Sequence, residues 1–325
     1  MTPLDFTALA IGDRVQHELV VRERHEKKTG AGDPFWILTL GNATGSLDTA
    51  PVWSNQASLV EGAERGSFVQ AIGTIKEYRG KRQLELTSLR VLPKDGFDLS
   101  QFVRAEAPKR LEKLWSWLDE ELGKLKSVPL RRAAQLFFGD PVFREAFERG
   151  AGSTVGHHAT AGGLLVHTCE VASIAQNIAR VMKANAELAF VGALIHDVGK
   201  VESYAADAAG FSNTPAGHLV GHIVLGSWML NQRLAATPDH GLSHAQVLEL
   251  QHFILSHHGI AEYGAAVPPA TAEAEIVHWA DEASAKANDV LETLAEDEHF
   301  AAGEPFTSKR PWRVGKRLWR RPDHW

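Results

Sequence analysis

The sequence has a single cysteine and no long apolar run. Cys169 stands alone among 325 residues and cannot form an internal disulfide, which favours the reducing cytoplasm. No apolar stretch approaches the roughly 18 residues that a membrane-spanning helix needs, and the first residues lack the basic start and apolar core of a secretion signal. We therefore expect a cytoplasmic protein without a membrane partner.

The chain also lacks an excess of basic charge. It has 34 lysines and arginines against 40 aspartates and glutamates, which gives a formal net charge of −6. This balance excludes a generally basic nucleic-acid coat, so a polyanionic partner would have to be held by local basic patches. Hydrophobic residues make up 44% and charged residues 23%, as in a globular protein, and the length suggests about two domains.

Residues 1–95 carry the pattern of an all-β domain. Five segments with alternating apolar residues are separated by turn clusters, among them residues 42–45 and 79–80. A short helix-like piece, residues 54–61, lies between the third segment and the fourth. Five strands with a helix in that position fit an OB-fold, in which the sheet closes into a small barrel and removes exposed edges.

Helical patterns dominate after a linker at residues 96–108. Leu111, Leu114 and Leu118 recur at three- and four-residue steps, as on one face of a helix. Few strand signals interrupt the helical segments predicted at 164–182, 188–195, 218–234, 245–255 and 272–294. We therefore predict a C-terminal all-α helical bundle over residues 109–300. The last residues, 301–325, form a basic tail that contains tryptophan.

Histidines concentrate in the helical region. Twelve of the 16 lie between His157 and His278, and histidine is the commonest metal-binding side chain. The adjacent His196 and Asp197 offer a neutral nitrogen and an anionic oxygen to one cation, and a carboxylate can also bridge two ions. This pair belongs to an ordered series on successive predicted helices, which reads His167, His196-Asp197, His222, His257-His258 and Asp281.

The series resembles the HD superfamily of metal-dependent phosphohydrolases. Its flanking segments and the preceding OB-like domain are similar to the YhaM-type 3′→5′ exoribonucleases over residues 12–294. The resemblance implies a first ion that is surrounded by His167, His196, Asp197 and Asp281. It also implies a second ion, bridged through Asp197 and held by His222 with His257, His258 or both.

The donor set restricts the choice of cation. Imidazole-rich sites with a few carboxylates suit Mn²⁺, Fe²⁺, Co²⁺, Ni²⁺ or Zn²⁺ better than Mg²⁺, which prefers oxygen ligands. We take two Mn²⁺ ions as the first choice, because manganese combines tolerance of nitrogen ligands with phosphate chemistry. The sequence leaves the other four metals open.

Three residues are expected to act in catalysis. Two cations about 3.5–4 Å apart lower the pKa of a bridging water, and Asp197 would hold them together. Lys200, four residues beyond His196, is placed to stabilise negative charge on the phosphate, unless it is a solvated or ion-paired lysine. His158 would donate a proton to the leaving oxygen or contact the phosphate, unless it only packs in a loop beside the site.

Candidate nucleic-acid contacts lie in the barrel and in the tail. OB barrels bind single strands by stacking bases on aromatic rings and by tracking phosphates with basic side chains. The candidates are the rings of Phe35, Trp36, Trp53 and Tyr78, the basic residues Arg79, Lys81 and Arg82, and, in the tail, Arg313 and Arg317. Half of each barrel strand points inward, so one or two of the rings belong to the core. The alternative for the tail is docking on a neighbouring subunit or domain.

Three functions are consistent with these patterns. The leading one is a metal-dependent 3′→5′ exoribonuclease that cuts single-stranded RNA to nucleoside monophosphates, with single-stranded DNA left open as a substrate. The second is a hydrolase of small or cyclic nucleotides, which the absence of a Gly-Tyr-Pro signature after His258 disfavours. The third is a nucleic-acid-binding module with a structural metal site, which the complete ligand series disfavours. A homo-oligomer also remains open.

Overall fold

The chain divides into two compact units. A computed structural model describes residues 4–301 and 303–322, so the end of the predicted tail, residues 323–325, lies outside the described residues. The first unit comprises the chain up to Ala105 together with Ala206–Gly210 and Asp297–Ser308. The second comprises Glu106–Ala205, Phe211–Glu296 and the chain from Lys309 onward. Each unit has its own apolar core.

A six-stranded sheet forms the body of the first unit. Its strands are β1 (Arg14–Lys28), β2 (Pro34–Asn42), β3 (Gly45–Asp48), β4 (Val52–Trp53), β5 (Phe68–Tyr78) and β6 (Lys81–Val91). They run antiparallel in the order β3-β2-β1-β5-β6, with β4 paired to β2. A parallel bridge between Thr49 and Leu84 closes the sheet, as in an OB-fold barrel. The predicted all-β domain is confirmed, and a 3-10 turn at Ser54–Val60 occupies the predicted helical position.

The barrel core follows from the two-residue period of a strand. On β1, Val15, Leu19 and Val21 point into the barrel, because side chains alternate between the two faces. Val20, on the opposite face, is buried beside Phe68 in a separate apolar cluster. The first unit therefore covers part of the outer face of β1 as well as its inner face.

Most of the second unit is helical. Its described helices are α1 (Pro108–Lys124), α2 (Val128–Phe138), α3 (Pro141–Arg149), α4 (Gly163–Met182), α5 (Ala186–Ile195), α6 (Lys200–Ser203), α7 (Pro215–Leu219), α8 (His222–Ala236), α9 (His244–Ser256) and α10 (Ala272–Ala295). The predicted helical domain is confirmed with one addition. After α6, β7 (Tyr204–Asp207) and β8 (Gly210–Asn213) form a two-stranded hairpin that the sequence patterns did not indicate. In the described part of the chain, no helix combines the length and apolarity needed to span a bilayer.

Helix α5 lies at the centre of the helical unit. All residues of Ala189–Ile195 are buried, and α2, α4, α9 and α10 pack around the helix. A helix that is apolar all round is buried on every side, because each face needs an apolar partner. The end of α5 therefore delivers the next residues, His196 and Asp197, into the middle of the bundle.

Candidate metal centre

His196 and Asp197 follow directly after the buried end of α5. His196 keeps helical backbone angles, and its Nδ1 donates to the Ala193 carbonyl oxygen at 2.6 Å. Asp197 is only 1% exposed. A carboxylate at this depth is costly unless cations or hydrogen-bond donors surround it. The identity of its neighbours therefore decides what the site can do.

A first group of ligands surrounds one oxygen of Asp197. His167 from α4 places its Nε2 3.4 Å from Asp197 Oδ2, and His196 Nε2 lies 3.2 Å from the same oxygen. Asp281 from α10 approaches from another side, with its Oδ1 3.1 Å from His167 Nε2. The ligand atoms of His167, His196 and Asp281 all lie within 4.8 Å of one another, as around a single cation.

A second group lies on the other oxygen of Asp197. His222, the first residue of α8, and His257, which follows α9, each place Nε2 3.5 Å from Asp197 Oδ1. His258 joins them, and the ligand atoms of these three histidines also lie within 4.8 Å of one another. The structure thus brings together all seven predicted ligands, and the two oxygens of Asp197 face two different groups. This arrangement fits the predicted role of Asp197 as a carboxylate between two cations.

Several polar atoms of the centre are buried without a hydrogen-bond partner. Among the described residues they are both carboxylate oxygens of Asp197, His222 Nε2 and His257 Nε2, although Oδ2 of Asp197 has Lys200 as an ion-pair neighbour. Buried polar atoms are almost always satisfied in folded proteins, so Asp197 Oδ1 and the two histidine nitrogens beside it need a common partner. A divalent cation meets that need, and the residues present therefore fit a metal centre.

The orientations of three rings are fixed by their other nitrogen. Nδ1 of His257 lies 2.9 Å from the Ile254 carbonyl oxygen, and Nδ1 of His258 lies 2.6 Å from that of Tyr263. Because a carbonyl oxygen can only accept, these Nδ1 atoms carry hydrogen, as does Nδ1 of His196. The Nε2 atoms therefore keep the lone pairs that bind metal.

The electrostatics of the centre favour ligand forms of the carboxylates. Burial raises the pKa of Asp197, but the charges of Lys200 and His196 outweigh burial and hold this pKa well below its usual range. Burial lowers the pKa of His222 well below its usual value, so this ring is neutral near pH 7. For His167, hydrogen bonds to Asp197 and Asp281 outweigh burial and raise its pKa to about 9. His167 must therefore lose a proton before it can bind a cation.

The two other predicted catalytic residues lie beside this centre. Lys200 is buried, with Nζ 2.5 Å from Asp197 Oδ2 and 2.7 Å from the Gly152 carbonyl oxygen. Its charge is thus directed at the predicted bridging carboxylate, so Lys200 is not a solvated lysine but an ion-paired one, which is the other alternative expected for this position. His158 is also buried, and its ring centroid lies 5.5 Å from that of His167. Both side chains are within reach of the centre.

Three residues of the site, Glu170, Ser284 and Asn288, were not indicated by the sequence patterns. Glu170 on α4 accepts hydrogen bonds from His158, from Ser284 and from Asn288. Glu170 lies three residues after His167, and Ser284 lies three residues after Asp281. Those spacings place each on the same helix face as a predicted ligand. Without a motif around them, that spacing was their only signal.

The candidate nucleic-acid residues of the barrel fall into two places. Phe35 packs against Trp53 with ring centroids 5.2 Å apart, and Trp53 is 47% exposed. Tyr78, 58% exposed, lies at the β5–β6 turn with the Arg79 guanidinium 5.2 Å from its ring centre. Trp36 packs against the barrel core, as expected for one or two of these rings.

The basic candidates are partly engaged in ion pairs. Lys81 Nζ lies 3.7 Å from Glu298, and Arg82 donates to the Leu9 carbonyl oxygen at 2.5 Å. In the tail, Arg313 pairs with Glu292 at 3.1 Å, and Arg317 is exposed. Leu318 is buried while Trp312 is exposed, so the described tail is packed at some positions and open at others.

Comparisons with known proteins agree with the predicted resemblance. Residues 164–286 match the HD domain family. A protein named 3′-5′ exoribonuclease YhaM from Oceanobacillus iheyensis is 29% identical over 280 residues, which cover 86% of this chain and 86% of that protein. Proteins of the same name from a Geobacillus species (29% over 287 residues; 86% and 84% covered) and from Bacillus subtilis (28% over 280 residues; 86% and 87% covered) are similarly close.

One similar solved structure is a domain of replication protein A from Methanococcus maripaludis. It matches 29% of this chain and 98% of that domain at 16% identity, with a TM-score of 0.24, which is too low to support an argument. The similarity to the YhaM proteins therefore rests on sequence, and it extends over both units of the chain.

Proposed function

We propose that this chain, an HD-domain protein similar to YhaM 3′-5′ exoribonucleases over most of its length, is itself a metal-dependent 3′→5′ exoribonuclease. Its substrate would be single-stranded RNA, with single-stranded DNA as a second substrate to test, and its products would be nucleoside monophosphates. The observation that carries the proposal is Asp197, whose two oxygens each face a separate group of ligands. We also propose a cytoplasmic location, because RNA is found there and because the buried Cys169 is a free thiol, as is usual in that reducing compartment.

The chemistry of a phosphodiester explains why two ligand groups are needed. The substrate is an anion that repels hydroxide, and bulk water at neutral pH contains almost none. When bound, a pair of divalent cations supplies an activated water and neutralises phosphate oxygens. In this chain, His167, His196 and Asp281 would hold one ion, and His222, His257 and His258 the other, with Asp197 between them. Mn²⁺ is our first choice because it tolerates five imidazole nitrogens beside two carboxylates and suits phosphate chemistry.

Residues beside the metal centre would stabilise negative charge and transfer a proton. Lys200 fixes Asp197 through a short ion pair, and its charge would also favour the build-up of negative charge at the phosphate. His158 would donate a proton to the departing 3′-oxygen of the chain. Exposed rings such as Trp53 and Tyr78 on the barrel would bind unpaired bases by stacking.

End-labelled substrates test the proposal directly. Purified protein with Mn²⁺ is incubated with 5′-labelled single-stranded RNA, single-stranded DNA and a blunt RNA duplex. We expect a ladder of shortened RNA that retains the 5′ label, because hydrolysis begins at the 3′ end. Intact RNA together with hydrolysis of cyclic or mononucleotides would identify a small-nucleotide hydrolase, and RNA binding without turnover would overturn enzymatic function altogether.

Two variants make the assay specific to the centre. Asp197→Ala should abolish RNA shortening, because it removes a carboxylate whose two oxygens face both ligand groups. Asp239→Ala, at an exposed carboxylate outside the site, should keep native activity. Circular dichroism confirms that both variants are folded. Native activity of Asp197→Ala would contradict the proposed role.

A further inference from the structure

One carboxylate outside the metal centre contacts two different parts of the site. Glu170 Oε2 lies 3.1 Å from His158 Nε2, 2.9 Å from Ser284 Oγ and 2.9 Å from Asn288 Nδ2. Three donors thus converge on a single oxygen. Arg110 approaches the other oxygen, at 3.7 Å. So many partners on one side chain indicate a fixed position rather than a mobile surface acid.

The direction of these hydrogen bonds determines how His167 is oriented. An ionised carboxylate can only accept, so the Ser284 hydroxyl donates its hydrogen to Glu170. The Ser284 oxygen is then left as an acceptor, and it lies 3.2 Å from His167 Nδ1. Nδ1 of His167 must therefore carry hydrogen, which directs the Nε2 lone pair toward Asp197 and Asp281.

The same carboxylate fixes the ring of His158. This residue has a φ of +54°, in the left-handed region of backbone conformation that residues other than glycine rarely adopt. Its carbonyl oxygen lies only 2.1 Å from the position that a Cβ on Gly163 would occupy. The same oxygen accepts a hydrogen bond from the Gly152 N–H at 2.9 Å. The backbone is thus held in place by close packing, and Glu170 holds the ring through Nε2. Nε2 therefore carries hydrogen, and a proton given to the substrate would have to come from Nδ1 of the doubly protonated ring.

We propose that Glu170 is a positioning residue that orients the metal ligand His167, through Ser284, and the proton donor His158 at the same time. The inference rests on the proposed function, because it takes the roles of these two histidines from it. Burial raises the pKa of Glu170, but hydrogen bonds from His158, Ser284 and Asn288 outweigh burial and lower it to about 2. Glu170 is therefore an acceptor throughout the working pH range.

Substitutions at Glu170 separate orientation from simple packing. Glu170→Met fills a similar volume without an acceptor, whereas Glu170→Gln keeps an acceptor oxygen. We expect Glu170→Met to weaken Mn²⁺ binding by about 10–100-fold, the usual effect of losing a partner behind a metal ligand. Glu170→Gln should retain most of the affinity. Titration calorimetry with Mn²⁺ alone measures both, so a failure of the nuclease proposal leaves this result readable.

Substitution of Ser284 separates the connection from Glu170 to His167 from the connection from Glu170 to His158. Ser284→Ala should weaken Mn²⁺ binding as Glu170→Met does, but should lower kcat on RNA at saturating Mn²⁺ less than Glu170→Met does. The double variant Glu170→Met/Ser284→Ala should bind Mn²⁺ no more weakly than Glu170→Met, because both remove one chain of contacts. By contrast, Glu170→Met should also lower kcat at saturating Mn²⁺ by about 10²-fold, through His158.

A surface glutamate provides the matched control. Glu145 on α3 is exposed and pairs only with Arg149 among the contacts described for it, so Glu145→Met should leave Mn²⁺ affinity and kcat unchanged. Thermal unfolding checks that every variant is folded. The proposal is overturned if folded Glu170→Met binds Mn²⁺ as tightly as the native protein, or if the Ser284→Ala and Glu170→Met losses add in the double variant.

Discussion

His257 and His258 are neighbours in sequence but differ in their relation to Asp197. His257 Nε2 lies 3.5 Å from Asp197 Oδ1, and the ligand atoms of His196, Asp197 and His257 lie within 4.8 Å of one another; no such contact with Asp197 is described for His258. We expect His257→Ala to lower the Mn²⁺ content to about one ion per chain, and His258→Ala to lower it less, because a bridging contact survives. Elemental analysis of desalted protein measures the content.

An exposed histidine controls for the loss of an imidazole. His244 lies at the start of α9, and His244→Ala should bind as much Mn²⁺ as the native chain. Equal metal content in the native protein and both site variants, or a greater loss in His258→Ala than in His257→Ala, would contradict the assignment.

Glu170 also affects stability in acid. Its pKa is about 2 in the folded protein against 4.5 for the free group, so its stabilising contribution is complete above about pH 4.5 and is lost as the pH falls toward 2. The difference in the free energy of unfolding between the native protein and Glu170→Gln, here the stability gap, should therefore narrow as pH decreases from about 6 to 3. Urea unfolding followed by circular dichroism measures the gap, and a gap that is independent of pH would exclude this titration.

The residues of the candidate metal centre could be predicted from the sequence as a set that the fold brings together, but the groups that orient them could not. His167, the His196-Asp197 pair and Asp281 stand in a recognisable order because each must lie on its own helix. The groups that orient them are backbone carbonyls, such as that of Ala193, and isolated side chains such as Glu170. Backbone acceptors are present at every residue, so no sequence pattern distinguishes those that matter.

At the scale of elements, the centre depends on close approach between α6 and α8. Gly199 precedes α6, and a Cβ there would lie 2.0 Å from the His222 carbonyl oxygen and 2.4 Å from Gly226 N. Glycine is required because the neighbouring atoms are backbone and cannot move independently. The first residue of α8 is a predicted ligand, so helix packing and ligand position are linked.

Gly199→Ala tests this link. We expect the added methyl group to displace α8, to lower the free energy of unfolding by about 1–3 kcal/mol and to weaken Mn²⁺ binding at the His222 group. Gly123→Ala on α1 is the matched control, because nothing lies within 4 Å of its Cβ position and alanine favours a helix by about 0.5–1 kcal/mol. Urea unfolding and Mn²⁺ titration report both effects. An unchanged Mn²⁺ affinity in Gly199→Ala would contradict the link.

At the scale of elements, the sequence patterns missed two local features, a break in one helix and a short hairpin. The segment predicted as one helix over 218–234 is divided, since α7 ends at Leu219 and α8 begins at His222 after Gly221, which has a φ of +80°. Helix periodicity cannot show this break, because glycine is tolerated within a helix. The β7–β8 hairpin was missed because each strand has four residues, too few for a clear alternation. Strongly periodic elements such as α4 and α10 were predicted within two residues of their ends.

At the scale of the whole molecule, the proposed function assigns RNA binding and hydrolysis to different units of the chain. If the barrel binds bases, Trp53→Ala should raise the Kd for single-stranded RNA by the equivalent of about 1–3 kcal/mol, the usual worth of one stacked base. Hydrolysis of a small diester, bis(p-nitrophenyl) phosphate, should not change, because the predicted metal ligands lie in the helical unit. Fluorescence anisotropy and absorbance measure the two quantities.

An exposed tryptophan on the helical unit provides the comparison. Trp228 on α8 has a similar exposure, and Trp228→Ala should leave the RNA Kd unchanged. Native RNA affinity in Trp53→Ala, or equal losses in the two variants, would remove this ring from the proposed binding surface.

The central claim concerns two cations on opposite oxygens of one carboxylate. Anomalous diffraction at the manganese edge, from crystals grown with Mn²⁺, locates such ions without reference to activity. We predict two peaks about 3.5–4 Å apart, one bound by Asp197 Oδ2 with His167, and the other by Asp197 Oδ1 with His222. A single peak, or two peaks that do not share Asp197, would contradict the account.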